Sequence, residues 1–303
     1  MSTEFQTPRV EQVQIDELPC WRIHTAHGEA LIAQQGAQLL SYQPHEQQPL
    51  VWLSESAEYK HGQSVRGGVP VCWPWFGNIS MNPVEVRGMV EGESGPAHGL
   101  VRGVDWELED IADELGELTV HFRLNAPHGL PGWPHAAEVS LAMRFGEHLK
   151  LELTTHNHGD KPLAISQALH TYFAVSDSRE VTVDGLQGAR YIETLENWEE
   201  RQQHGVVRFT GETDRIYLGL DKPLVIHDPQ WQRAIHIQAS HSRSAVVWNP
   251  WIDKSARLSQ FPDDAWQRML CIETARVWDD VLNIAPGRSE TMSVEIWSEG
   301  LDA

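Results

Sequence analysis

Glu138–Thr155, EVSLAMRFGEHLKLELTT, decides the fold class. Val139, Leu141, Met143 and Phe145 alternate with polar or small residues, Gly146-Glu147-His148 interrupts, and Leu149, Leu151 and Leu153 resume the alternation. A period of two gives each strand one apolar face, and a short glycine-bearing turn joins the two strands into a hairpin. The same period recurs at Leu118–Leu124, Val181–Val183, Ala234–Ala239, Ala245–Trp248 and Met292–Trp297, with proline and glycine at short intervals between. Helical signals are confined to two places: an acidic first turn at Pro262-Asp263-Asp264 before AWQRML, and a turn or two at Ser54–Tyr59. No repeat, low-complexity tract or linker divides the chain, and Asn157–Lys161 is a turn too short to part domains. The expectation is an all-β, large antiparallel β-sandwich with a few short helices, one domain over residues 1–303 with its core at about 20–300.

Composition narrows the function. Of 303 residues, 41% are hydrophobic and 13 are tryptophan, enough for a substantial core and for some indole faces to serve as platforms for sugar rings. The formal charge of −20, from 43 acidic and 23 basic side chains, argues against a nucleic-acid or anionic-membrane partner, which needs a basic surface. Cys20, Cys72 and Cys271 are odd in number and widely spaced, so they read as reduced thiols in a cytoplasmic protein. The first residues, MSTEFQTPRVEQVQ, have no signal-peptide pattern, and no apolar run approaches the ~18 residues that span a bilayer.

Three stretches concentrate residues that could carry chemistry. ALHTYFAV, residues 168–175, reads as a strand with Ala168, His170, Tyr172 and Ala174 on one face; an imidazole there is suited to proton transfer or to a structural hydrogen bond. MLCIETARV, residues 269–277, places Glu273 between Cys271 and Ala275 on an apolar face, where a carboxylate is costly unless it is paired or functional. SVRGGVPVCWPWFG, residues 64–77, lies in a run from Lys60 to Val84 without one acidic residue. Arg66 there is placed for a phosphate or carboxylate, Gly67-Gly68 permits close backbone approach, and Trp73, Trp75 and Phe76 supply an aromatic wall. PAHGLVRG, residues 96–103, adds His98 and Arg102 between glycines; Asp214, Trp248 and Trp251 are weaker candidates for holding a sugar. A metal reading is poor: His156-Asn157-His158 has HxH spacing but lacks the partner glutamate, and His236 and His241 do not share a strand face.

Together, RGGVPVCWPWFG from Arg66, AHGLVRG from Ala97, LHTYF from Leu169, DRIY from Asp214 and CIETA from Cys271 resemble the aldose 1-epimerase superfamily, in its glucose-6-phosphate 1-epimerase (hexose-6-phosphate mutarotase) branch. The motifs run in order through nearly the whole chain. The resemblance implies a sandwich of galactose-mutarotase type, with His170 and Glu273 as the catalytic pair and Arg66, Arg102 and Asp214 on the substrate; in the mechanism expected from these residues, His98 hydrogen-bonds a sugar hydroxyl or the ring oxygen. Where some relatives carry glutamine before the His-Gly pair, this chain has Ala97. The chemistry implied is sugar ring opening and closure. A glutamate near its reference pKa of ~4.3 takes the C1 hydroxyl proton, and a histidine near ~6.5 protonates the ring oxygen. No metal or organic cofactor is required, and the expected partner is a small phosphorylated sugar; monomer or oligomer is left open. The alternatives are a mutarotase for unphosphorylated aldoses and a non-catalytic carbohydrate-binding sandwich. A metal-dependent enzyme of cupin type is a third.

Overall fold

The computed structural model describes residues 8–114 and 116–301. The hairpin forms as the alternation dictates: Ala137–Phe145 pairs antiparallel with Leu149–Asn157, Phe145 opposite Leu149 across the Gly146-Glu147-His148 turn. Every second residue on both strands is buried and those between are half-exposed. Each Leu or Phe so buried contributes about 1.5–3 kcal/mol, and this keeps the register from slipping by one.

That hairpin lies within a sheet that has nine strands among the described residues. Its order is Val207–Arg208, Thr182–Asp184, Leu224–Asp228, Arg233–Ser240, Ser289–Gly300, Leu149–Asn157, Ala137–Phe145, Glu117–Ala126 and Glu107–Glu114. A second sheet runs Glu199–Gln202, Arg190–Glu193, Thr213–Leu218, Ser244–Asn249, Met269–Arg276, Gln167–Leu169 and Val71–Cys72, and Tyr172–Ala174 pairs with Met269–Arg276 beyond Gln167–Leu169. The strand ladders are antiparallel. The N-terminal meander Arg9–Ile15, Leu18–His24, Gly28–Ala33 and Gln38–Pro44 is tied to the second sheet by bridges such as Leu39 to Val69 and, through Val51, Tyr42 to Phe173.

The two large sheets face each other across one apolar core. Phe122, Val139, Leu151, Val294 and Ile296 come from the first, and Leu169, Phe173, Val247, Leu270 and Ile272 from the second. On Met269–Arg276 the even-numbered Leu270 and Ile272 enter this core, whereas Met269, Cys271 and Ala275 project from the opposite, outer face into two smaller apolar clusters. The outer face is where the candidate chemistry lies.

Four expectations change. Ser54–Tyr59 is not helical: the Ser56 N–H donates to the Ser54 hydroxyl, 3.1 Å, and a side chain that captures a backbone donor two residues on competes with helix. The 265–267 stretch is a single 3₁₀ turn, because Met269 already begins a strand with neighbours on both sides. The α-helices that form among the described residues, Val84–Arg87 and Trp251–Ser255, are one-turn pieces on loops. The strand expected over 168–175 is interrupted at His170-Thr171. The expected aromatic wall is also mostly core: Trp73 and Trp75 are buried, with Trp106 and Trp133, and of that trio only Phe76 reaches the outer face.

Candidate active site

Strand register brings His170 and Glu273 together. Leu169 lies opposite Thr274 and Tyr172 opposite Cys271, so the same register carried through the break puts His170 across from Glu273. His170 Nε2 is 3.5 Å from Glu273 Oε1. At the break His170 donates its backbone N–H to the Pro70 carbonyl, 3.0 Å, and Tyr172 donates to that of Gly68, 3.0 Å, so the 66–72 loop supports the segment where the ladder lapses. The imidazole lies flat on the Tyr172 ring, with centroids 4.9 Å apart and planes 9° apart, and meets Trp248 edge-on at 6.3 Å.

Glycines bring the remaining groups in. Gly67 and Gly68 have φ of 102° and 70°, and a Cβ on Gly68 would lie 2.3 Å from the Leu39 carbonyl oxygen, so only glycine threads between 39–40 and 52–53. This aims Arg66 toward the site, with Nη1 3.5 Å from the Tyr172 hydroxyl. Gly99, at φ 81°, packs so closely on Trp73 that a Cβ would be 2.0 Å from its carbonyl oxygen. The tight turn directs His98 inward, its ring edge-on to His170 at 5.4 Å and to Phe76 at 4.9 Å. Arg102, just beyond, donates to the Ala97 carbonyl at 2.5 Å. Among the described residues neither Arg66 nor Arg102 has a carboxylate within salt-bridge reach, and the Nε–H of each is buried without an acceptor.

Asp214 approaches from the other side. It stands opposite Trp248, which stands opposite Cys271, which stands opposite Tyr172, forming one row across the outer face next to Glu273. Burial raises the Asp214 carboxyl to about 6, with Lys254 opposing the rise. Lys254 escaped the sequence reading. It lies on Trp251–Ser255, its ammonium 5.9 Å from the Trp248 ring centre and 2.9 Å from a Glu212 oxygen. Nothing in the sequence near it marks it; the one-turn helix after Pro250 places it there.

Electrostatics depart from reference values. Glu273 is 1% exposed and its Oε2 has no partner, so burial drives its carboxyl well above the usual range, Asp214 pushes it further, and Arg102 opposes. His170, 9% exposed with Nδ1 unpartnered, is held well below the imidazole range by burial and then by His98, Arg102 and Arg66. Burial and the same two arginines bring His98 down to about 3. Its Nδ1 accepts the Gly77 N–H at 3.3 Å, and the Cys72 thiol lies 3.4 Å away, so the neutral ring carries its proton on Nε2. Cys72 and Cys271 flank Glu273 as buried thiols pushed upward by desolvation.

The six residues singled out from the sequence therefore converge on one patch of the outer face. His156 and His158 do not join it: their rings pack together at 4.2 Å, and His156 Nδ1 bonds to the Ser289 hydroxyl at 2.7 Å. Among the described residues no group of three or more His, Cys, Asp or Glu is placed to hold a metal. Neither the 330 Å³ cavity beside Leu220–Leu224 nor the 500 Å³ one between Trp52 and Trp231 is lined by His170 or Glu273.

Comparison with known proteins matches residues 19–297 to the family model described as aldose 1-epimerase. A protein of Escherichia coli (strain K12) named "Putative glucose-6-phosphate 1-epimerase" is 33% identical over 280 residues, covering 89% of this chain and 90% of that one. A crystal structure titled as a "putative mutarotase" from Salmonella typhimurium superposes with a TM-score of 0.85 at 29% identity, covering 96% of this chain and 94% of that one. A galactose mutarotase-like protein from Clostridium acetobutylicum shares the fold, with a TM-score of 0.72 at 13% identity over 98% of this chain and all of that one.

Proposed function

The chain belongs to the aldose 1-epimerase family, and from that premise we propose that it interconverts the α and β anomers of hexose 6-phosphates. The observation that carries the phosphate is the pair of arginines. Arg66 and Arg102 bring two uncompensated positive charges to the histidine side of the site, each with a buried N–H that lacks an acceptor. Phosphate oxygens are the acceptors such forks suit. In a pyranose 6-phosphate the phosphorus is four covalent bonds from the ring oxygen, so a phosphate on these arginines leaves the ring oxygen near the histidines.

Ring opening then divides between the facing groups. Glu273 takes the C1 hydroxyl proton as the C1–O5 bond breaks, and His170 gives a proton to O5. Rotation about C1–C2 and closure in the reverse sense return both protons. The pair thus holds one proton throughout, alternating between imidazolium with carboxylate and imidazole with carboxylic acid. His98 Nε2–H donates to a ring or hydroxyl oxygen, and Asp214, with Lys254 behind it, holds a hydroxyl at the far end. Each acid or base so placed is worth ~10²–10⁴-fold.

The test is anomer exchange of glucose 6-phosphate followed by NMR saturation transfer. His170→Ala and Glu273→Gln are each expected to lose the accelerated exchange, and Arg102→Ala to lose more on glucose 6-phosphate than on glucose. Near-wild-type exchange in either catalytic variant refutes the pair, and equal losses on both sugars in Arg102→Ala would indicate an enzyme of free aldoses.

A further inference from the structure

We propose that the substrate's phosphodianion is an activator of the catalytic pair as well as an anchor: by neutralising Arg66 and Arg102 it transfers the pair's shared proton from Glu273 to His170. The inference rests on the reading of the site as one for hexose 6-phosphates and goes beyond it, because anchoring alone requires no change in the pair.

The placement of charge is asymmetric. His170 faces Glu273 at 3.5 Å on one side and the neutral His98 ring at 5.4 Å on another, with Tyr172 stacked beneath and Trp248 at its edge. Arg66 lies 3.5 Å from the hydroxyl of Tyr172, whose ring stacks on His170, and Arg102 is bonded to the carbonyl of Ala97 next to His98, whose ring meets His170, so both charges bear on His170; Glu273 feels Arg102 and, from its other flank, Asp214 with Lys254 beyond. Cys72 and Cys271 adjoin the pair as buried thiols, and Tyr172 is a phenol held above its usual range, so none of the three carries charge near neutrality. Without an anion, two guanidiniums repel a proton from His170 in a desolvated setting, and Glu273, stripped of water, keeps it.

That distribution is wrong for opening a ring in the assigned sense, which starts from imidazolium and carboxylate. A dianion on the two arginines cancels the repulsion where it is strongest, at the histidine. It also disfavours the Glu273 carboxylate, but less, since one of the two arginines bears on that group and the phosphate lies on the histidine side. The net effect moves one proton across the 3.5 Å contact without changing the proton count. A shift of one unit in relative affinity raises the competent form about tenfold.

The geometry then allows activation by an unattached dianion. D-xylose presents the same pyranose ring without C6, and phosphite dianion fits the vacated end. Anomer exchange of D-xylose is measured with the whole protein at constant ionic strength, with and without phosphite, after subtracting the protein-free rate, which phosphite itself increases. Phosphite is expected to raise the enzymatic rate at least about tenfold, and Arg66→Ala and Arg102→Ala are expected to lose the activation. Imidazole ¹⁵N shifts are expected to show His170 gaining imidazolium character as phosphite is added. Glucose 6-phosphate and glucose are run alongside. If glucose 6-phosphate is exchanged much faster than glucose but phosphite leaves xylose exchange unchanged or inhibits it, the phosphate is an anchor only and the inference is overturned. If glucose 6-phosphate has no advantage over glucose, the underlying reading falls, and this one with it.

Discussion

Glu273→Gln keeps the side chain's volume and removes its charge at a position 1% exposed, where Oε2 lacks a partner. In the folded protein the carboxyl is raised well above its ordinary 4.5, chiefly by burial. Between 4.5 and the folded value the native state therefore holds a proton that the unfolded chain has released, and native stability falls as pH rises through that interval. From 4.5 to pH 7, at ~1.36 kcal/mol per unit, the ceiling on the loss is about 3 kcal/mol. Glutamine does not titrate and avoids it, while an amide with one unpartnered end gives back about 1 kcal/mol. The variant is thus expected to be more stable than the parent at pH 7, by at most about 2 kcal/mol, with the gap shrinking toward pH 4.5, and to lose at least ~10²-fold in anomer exchange. Urea unfolding at pH 4.5, 6 and 7, with exchange measured on the same samples, checks both. A variant that is less stable at pH 7, or a gap that does not change with pH, would refute the view that Glu273 is kept in a strained, desolvated state for its chemistry.

The remaining predictions follow the same geometry. His98 is held neutral down to about 3, so the unfolded chain binds a proton below ~6.5 that the folded one refuses, and stability falls as pH drops through that window; His98→Gln is expected to lose less stability between pH 6.5 and 4 in urea titrations. Gly99→Ala forces a Cβ against the Trp73 carbonyl at positive φ and is expected to cost at least about 1 kcal/mol, with a rise in KM as His98 and Arg102 shift; an unchanged melting curve would show that the loop yields freely. Leu151→Ala, fully buried at the centre of the hairpin, is expected to cost about 2–5 kcal/mol in chemical denaturation without altering KM, because the site lies on the other sheet.

Much of this protein is legible in one dimension. Alternation at Val139–Leu153 announces strands because a pleated chain exposes opposite faces at successive residues, and the observed hairpin follows it residue for residue. The same rule places Cys271, Glu273 and Ala275 on one face, and the acid-poor run around Arg66 singles out a candidate for holding an anion before any fold is known. Where sequence reading erred, longer-range partners had decided. Ser54–Tyr59 is held by Gln260, whose carbonyl accepts from the Ser54 hydroxyl and whose side-chain oxygen accepts from the Glu58 N–H, Trp73 and Trp75 leave the wall for the core, and Lys254 enters the site on a helix too short to show a period. His170 and Glu273 are 103 positions apart in the chain, and only the register of two strands makes them neighbours. Their protonation is further removed still from local sequence. Reference values predict a charged carboxylate and a ready imidazolium, whereas burial weighs against both charges, the two unpaired guanidiniums weigh further against the imidazolium, and Asp214 weighs against the carboxylate more than Arg102 supports it. Residue type and spacing determine which groups are present and which face they share; the energy of a charge depends on the water taken away and the charges brought near, and those are properties of the folded surroundings.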